Sequence, residues 1–441
     1  MASRRSTQPD RAWLAALGAA VAAAEAAVFV LRPRHGLIAA RAVDPLEHFD
    51  TADIARARRY GRGQLALAAM GGLTEGALLV WLVRRGRAAA ADPSDPSPEP
   101  PGIGAAPPAD PPLALGVIGA RGAGLSLALM LAPLPFGALM RTRALRVGLA
   151  TQSWRGWAGD VARSAALGAA FTAAGAVVVA ALMRRYGADW WRAAAGGSVV
   201  VAVVVTLAGP VVLDPIFNDF EPLPEGELRR EVLALAARAG VAIGEVYEVD
   251  ASRRTSAANA YVNGLGASRR IVLYDTLLAS FTAAEARTVV AHELAHVRYR
   301  DVPRLLVYLG LVAPAGTRAV ARLAERLGGS AEPELPALAL AAGVVSAALG
   351  VVTRQLSRAI ERRADAFSLE LTGEADAFVS FEQRITRQNL ADPDPPRWLA
   401  VLLGTHPPIV ERLGIAAAYR AGERATPPRR RRSGPRTRAG S

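Results

Sequence analysis

The chain has no cysteine, which excludes a disulfide framework and any thiolate metal site, so a bound metal would have to rest on nitrogen and oxygen ligands. It has no lysine either, so all 52 basic residues are arginines and so is the excess behind the net charge of +13. With the heavy use of Ala, Gly and Pro, this reads as a GC-rich bacterial coding bias rather than a nucleic-acid surface, and no folded or aromatic-interleaved basic motif argues for nucleic acid as a partner. Histidine is scarce: His35, His48, His292, His296 and His406 are the 5 in 441 residues. Apolar residues abound, at 51% with a mean hydropathy of +0.21, too hydrophobic and too long for one small soluble domain.

Apolar runs long enough to cross a bilayer recur about seven times. They cover residues 13–31, 64–83, 113–140, 161–183, 193–213, 302–323 and 335–352. Arg121 and Pro133 interrupt the third, and Pro303, Pro314 and Pro336 blur the ends of the last two. Arg4, Arg5 and Arg11 before the first run fit a signal peptide, but its length and its end in Leu31-Arg32-Pro33-Arg34 favour an uncleaved anchor. Glu25 and Glu75 lie inside the first two runs, where a carboxylate needs a protein or water partner. Arginines crowd the segment after the first run and residues 141–155. The positive-inside rule then puts the N-terminus outside, and the C-terminus and the later catalytic segment on the cytoplasmic side of a cell membrane.

The chemistry is carried by Ala291-His292-Glu293-Leu294-Ala295-His296. It lies in a stretch, 282–300, that reads as helix behind a Thr282/Glu285 capping box. Positions i and i+4 share a helix face, so His292 and His296 can aim at one metal ion, with Glu293 beside it to accept a proton from the attacking water. A catalytic zinc site needs a third protein ligand and an open position. The remaining histidines are poorly placed for that ligand, two far upstream and His406 in a Thr-His-Pro-Pro loop. Glu361 and Asp365 lie one turn apart on a helical stretch about 65 residues on. Glu361 is the expected third ligand, for one Zn2+ per chain, and Asp365 the acceptor that orients a ligating ring. The bland reading of that pair is a solvated face paired with Arg358 and Arg362.

His-Glu-x-x-His, then Glu-x-x-x-Asp, then His406-Pro407-Pro408, together with Leu213-Asp214-Pro215-Ile216-Phe217-Asn218 and Asn259-Ala260-Tyr261, resembles the membrane zinc metallopeptidases of the M48 family. Within it the chain is similar to the type I CAAX prenyl endopeptidases, a likeness covering roughly residues 210–415. The fold implied is mainly α, a polytopic α-helical membrane protein of about seven spans with an inserted gluzincin-like metalloprotease domain carrying a small β-sheet. Its divisions would be spans 1–2 in residues 1–87, a Pro-rich linker at 88–112, spans 3–5 in 113–224, the zinc peptidase domain with spans 6–7 in 225–420, and an Arg/Pro-rich tail at 421–441.

Residues 225–240 read as an amphipathic helix, and 245–250, 258–263 and 271–274 as short strands. An exposed edge beside the metal would let a substrate peptide add as a strand. The resemblance makes Asn259, Ala260 and Tyr261 the substrate-binding edge and His406 a group that binds substrate or stabilises developing charge. Arg412 is grouped with the substrate-binding residues as a support of the site. The implied partners are the lipid bilayer and a peptide or protein substrate, prenylated at a C-terminal CAAX box if the likeness extends that far. Ala295 and Val297 stand where these endopeptidases carry Gly and Trp. An HtpX-like quality-control protease therefore remains the enzyme alternative, and a non-proteolytic membrane scaffold the alternative of another class.

Overall fold

The computed structural model describes residues 11–90, 113–263, 269–328 and 334–425. Most of the expected 88–112 linker, the tail from residue 426, Gly264, Arg4 and Arg5 lie outside the described residues. The N-terminal helices are α1 (Ala12–Leu31), α2 (Thr51–Ala90), α3 (Leu115–Leu131), α4 (Leu134–Arg146), α5 (Trp154–Tyr186), α6 (Trp190–Ala208) and α7 (Asp214–Phe217). Then come β1 (Phe220–Pro222), α8 (Glu227–Arg238), β2 (Glu245–Val249), β3 (Ala260–Asn263), β4 (Arg270–Tyr274), α9 (Asp275–Ser280) and α10 (Ala283–Arg298). The chain continues through α11 (Asp301–Gly328), α12 (Leu335–Thr372), α13 (Ala375–Gln388), α14 (Arg397–Leu403) and α15 (Ile409–Arg420).

Among the described residues, 5 helical stretches are long and apolar enough to cross a membrane, or up to 6 if the bent α3–α4 pair is one span. The expected third run is broken where the sequence carries Pro133, with α3 and α4 inclined by 41°. The fourth and fifth expected runs fall within one helical stretch, Trp154–Phe217, interrupted at Gly187, whose φ is +52°. The arginine-rich stretch at 141–155 is largely helical at both ends: α4 runs to Arg146, and Ser153 caps α5 by accepting the Gly156 N–H at 3.1 Å. The linker boundary also moves, because α2 continues to Ala90. The last expected span and the third-ligand helix are one rod, the 38-residue α12.

Alanines of α1 explain why it docks closely. Ala16, Ala20, Ala24 and Ala27 are buried against α11 and α12, where small side chains let helix backbones approach and gain dispersion contact without a hydrophobic driving force from lipid. Glu25 leaves this apolar seam by accepting from Gln355 Nε2 at 2.9 Å.

Outside the bundle, a mixed sheet of order β1-β2-β4-β3 backs the catalytic helix. β2 and β4 are parallel, while β1 and β3 pair antiparallel at the two edges. Val290, Ala291 and Leu294 of α10 are fully buried with Ile271 and Leu273 of the sheet and Val232, Leu235 and Ala236 of α8. Each such aliphatic side chain contributes about 1.5–3 kcal/mol on burial. The face of α10 opposite its histidines is thereby anchored. Its start is set by the capping box: Thr282 Oγ1 accepts the Glu285 N–H at 3.3 Å, and the Glu285 carboxylate accepts the Thr282 N–H at 2.8 Å. Ser380 and Arg384 of α13, each at 2.7 Å, donate to the same buried carboxylate.

Thr282→Ala removes one half of this box and is expected to destabilise the chain by about 1 kcal/mol, seen as a lower midpoint in thermal unfolding of the detergent-solubilised protein. Glu285→Ala should cost more, since it also strands Arg384 and Ser380.

Candidate active site

On α10, His292 and His296 face the same way with ring centroids 5.0 Å apart. α12 crosses this face and brings Glu361 between them: His292 Nε2 lies 3.1 Å from Glu361 Oε2, and His296 Nε2 lies 3.8 Å from Glu361 Oε1. One ligand atom from each of the three residues lies within 4.8 Å of the other two. One turn along α12, Asp365 Oδ1 meets His292 Nδ1 at 2.9 Å. His296 Nδ1 has its own carboxylate, Asp301 Oδ2, at 3.2 Å. With each Nδ1 placed to donate to a carboxylate, each Nε2 is the atom left to serve as a metal ligand toward the space beside Glu361. Carboxylate-backed imidazoles are the arrangement that divalent transition ions take in proteins.

The electrostatics point the same way. Burial alone would push the His292 pKa down, but hydrogen bonds to Asp365 and Glu361 outweigh it and hold it up to about 10. A pocket that holds a proton so tightly carries an excess of negative charge, which a divalent cation satisfies better. Three oxygen and nitrogen donors, their outer carboxylates and the absence of sulfur fit Zn2+ with an open coordination position. Glu293, half-buried beside His292, points into a cavity of about 560 Å3. Burial raises its pKa above the ordinary glutamate value.

Behind Asp365 stands Arg412 of α15. Its Nε and Nη2 donate to the two Asp365 oxygens at 2.9 and 2.6 Å, and its Nη1 lies 2.8 Å from Glu382 Oε1 of α13. Burial disfavours the guanidinium, but the Asp365 and Glu382 carboxylates reverse that and keep it cationic. Burial pushes Glu382 up to about 7 against the pull of Arg412. Arg412 therefore spends its guanidinium on two carboxylates at the wall of the cavity that Glu293 and His292 line.

The remaining expected residues separate. Asn259 lines the cavity with His292, Glu293 and His406. Its Oδ1 accepts the Ala260 N–H at 2.9 Å. Ala260 turns into the core beneath α10, whereas Tyr261 lies on the opposite sheet face, edge to face with Tyr274 at 6.4 Å. Neither side chain lines the cavity, which leaves them the main chain of an edge strand. His406 sits at the cavity mouth, 61% exposed, with Nε2 3.3 Å from Glu361 Oε2 and Nδ1 3.0 Å from Thr405 Oγ1.

Sequence reasoning missed Asp301, Arg363 and Glu382. It read helix through residue 300, but α10 ends at Arg298, and Arg300 takes a left-handed φ of +56°. That turn folds Asp301 back under His296, where Arg304 and Arg363 hold it. The one available signal was an acid between Arg300 and the helix breaker Pro303, a place where a helix restarts. Alanine in place of Asp301 or Asp365 is expected to weaken metal binding about 10–100-fold, measured by competition with a chromophoric chelator. Arg412→Ala, which strips the buried Asp365 and Glu382 of their shared guanidinium, is expected to destabilise the fold by about 3–5 kcal/mol, measured by thermal unfolding.

This geometry belongs to a chain with known relatives. Residues 222–419 match the description "Peptidase family M48", and residues 127–219 match "CAAX prenyl protease N-terminal, five membrane helices". A Bacillus subtilis chain named "Uncharacterized metalloprotease YhfN" is 36% identical over 215 residues, covering 46% of this chain and 50% of that one. "CAAX prenyl protease 1 homolog" of Oryza sativa is 34% identical over 214 residues, with the same shares of 46% and 50%. The chain thus spans about half the length of the curated relatives it matches. The crystal structure of S. mikatae Ste24p superposes with a TM-score of 0.69 at 19% identity, covering 92% of this chain and 98% of that one, a likeness of fold. The adjoining matches place an M48-type peptidase region, residues 222–419, behind a CAAX-protease-type membrane region, residues 127–219, in an integral membrane chain whose helices are apolar enough to span a bilayer.

Proposed function

We propose that the chain is a zinc-dependent endopeptidase that hydrolyses peptide bonds at the cytoplasmic face of its membrane, of the kind that processes C-terminal CAAX peptides. The observation that carries this is the convergence of His292, His296 and Glu361 within 4.8 Å, with Glu293 on the same helix facing an open cavity. When bound, Zn2+ would act there as a Lewis acid, making a water acidic and polarising the scissile carbonyl. Glu293 takes a proton from the attacking water on its carboxylate and returns it to the leaving amine nitrogen. Asp365 and Asp301 hold the two imidazoles in the tautomer and orientation that this requires. His406, at the mouth of the cavity, is placed to donate to the oxygen that gains charge in the transition state.

Substrate binding follows from the edge position of β3. Among the described residues it pairs with β4 on one side only, so its other side can accept an extended peptide through main-chain hydrogen bonds, with Asn259 at the end nearest the cavity. Phe378, Phe381 and Ile385 give the cavity an apolar wall, which suits an aliphatic side chain or a prenyl group better than a charged residue.

The membrane face is supported by contacts around the site. The arginine-rich segment after α1 and the start of α2 pack on the catalytic elements: Arg58 meets Asp392 and Arg387 meets Asp53, both at 3.0 Å, and Gln383 meets His48 at 2.9 Å. The site lies on the arginine-rich side of the bundle, which the positive-inside rule assigns to the cytoplasm.

Purified wild type should cleave a farnesylated CAAX peptide, lose this on zinc chelation and regain it with added Zn2+. Glu293→Gln should keep the metal and lose about 10²–10⁴-fold in kcat. Equal cleavage of an unprenylated peptide would replace the CAAX specificity with a broader quality-control role, and a zinc-loaded chain without turnover on either peptide would sink the peptidase reading. A second expectation concerns pH. The base is the ionised form of Glu293, and burial raises its pKa, so activity should be lost on acidification at a higher pH than for an unperturbed glutamate. The acid limb of kcat/KM against pH measures this.

A further inference from the structure

Next to the metal site, where α1 ends and α11 begins, lies a second cavity of about 740 Å3 that hydrolysis does not use. Arg32, Arg34, Arg298, Arg304 and Arg363 line it, and Glu370 is the only carboxylate among the described lining residues. The counter-charge is already committed. Arg304 and Arg363 share Asp301, and Glu370 accepts the Ala425 N–H at 2.8 Å. Arg32, Arg34 and Arg298 are exposed and meet no carboxylate among the described residues. After Ala425 the sequence contains no Asp or Glu.

Two of these guanidiniums are also held in place. Arg32 and Arg34 lie over the Phe29 ring at 5.1 and 4.9 Å, and Arg34 Nη2 donates to the Phe29 carbonyl at 2.9 Å. His35 adds a buried Nδ1 with no hydrogen-bond partner among the described residues. On the last turn of α1, Phe29 and Val30 are 58% and 67% exposed, an apolar surface at the end of a candidate span.

A concave site with unpaired guanidiniums, two of them stacked on the exposed Phe29 ring and with exposed Val30 in its lining, complements a molecule with a phosphate and hydrocarbon chains. We propose that this cavity binds the phosphate headgroup of an anionic phospholipid, with its acyl chains along the Phe29 side of α1. Planar guanidiniums engage phosphate oxygens in pairs, and the site is concave, so occupancy here is a defined stoichiometric event rather than diffuse attraction to a charged surface. The inference rests on α1 being a span and is independent of peptide hydrolysis.

The test uses the full-length, metal-loaded protein in neutral detergent, titrated with phosphatidylglycerol, phosphatidylcholine or inorganic phosphate and read by native mass spectrometry. One phosphatidylglycerol should bind at least about tenfold more tightly than phosphatidylcholine, since only the former carries net charge. The Arg32→Gln, Arg34→Gln, Arg298→Gln triple variant should lose about a hundredfold in affinity, from roughly fivefold per arginine. A control with the same charge change at exposed arginines elsewhere, Arg146→Gln, Arg155→Gln and Arg397→Gln, should keep wild-type affinity. Arg298→Glu alone leaves the Phe29 stack intact, so a loss of at least about tenfold there serves as the check should the triple variant misfold. Equal losses in the triple variant and its control would overturn the proposal by reducing it to net charge. Phosphate binding as tight as phosphatidylglycerol would overturn it in favour of a soluble-anion site.

Discussion

Two imidazoles four residues apart on a helix can serve one ion only if each is held with an unprotonated nitrogen turned toward it. In this protein that constraint is met by carboxylates at their far nitrogens, Asp365 on His292 Nδ1 and Asp301 on His296 Nδ1, at 2.9 and 3.2 Å. Neither acid lies on α10. One arrives from a helix that rises out of the membrane bundle, and the other from a chain reversal just after the histidines. The metal site therefore depends on how α10, α11 and α12 meet, and a slip of any one would separate the donors before it unfolded the chain.

α12 is the element that makes this meeting rigid. It carries apolar side chains buried against α1 and α11 in its first half and Glu361 and Asp365 in its second, without a break over 38 residues. A helix that is at once a candidate span and a ligand carrier fixes the depth of the site relative to the bilayer. The same face of α10 that looks at α12 is backed, on its other side, by the apolar layer over β4 and α8. Scaffold and site are thus one packing arrangement read from two sides.

Charge is handled throughout by arginine. Arg412 can satisfy Asp365 through two donors and still reach Glu382 because the guanidinium presents several N–H groups in a plane, and Arg363 stacks on Tyr299 at 4.0 Å while holding Asp301. A point-charge ammonium would reproduce neither contact. Where the arginines outnumber the acids, beside α1 and α11, the surplus forms the cationic cavity.

What was legible in the sequence were the features encoded by local spacing and composition. The His292/Glu293/His296 pattern, the Glu361/Asp365 pair, the Thr282/Glu285 cap and the apolar runs each need only a few neighbouring residues on one helix to be recognised, because helical periodicity alone puts them on a shared face. Tertiary structure decided what depends on chain reversal and on contacts between distant segments. The left-handed turn at Arg300 that delivers Asp301, the fusion of the last span with the third-ligand helix, the pairing of Arg412 with Asp365 and Glu382, and the assignment of Tyr261 to the far face of its strand all fall in this class. Their partners are separated by a turn, a strand register or tens of residues, and periodicity carries no information across such gaps.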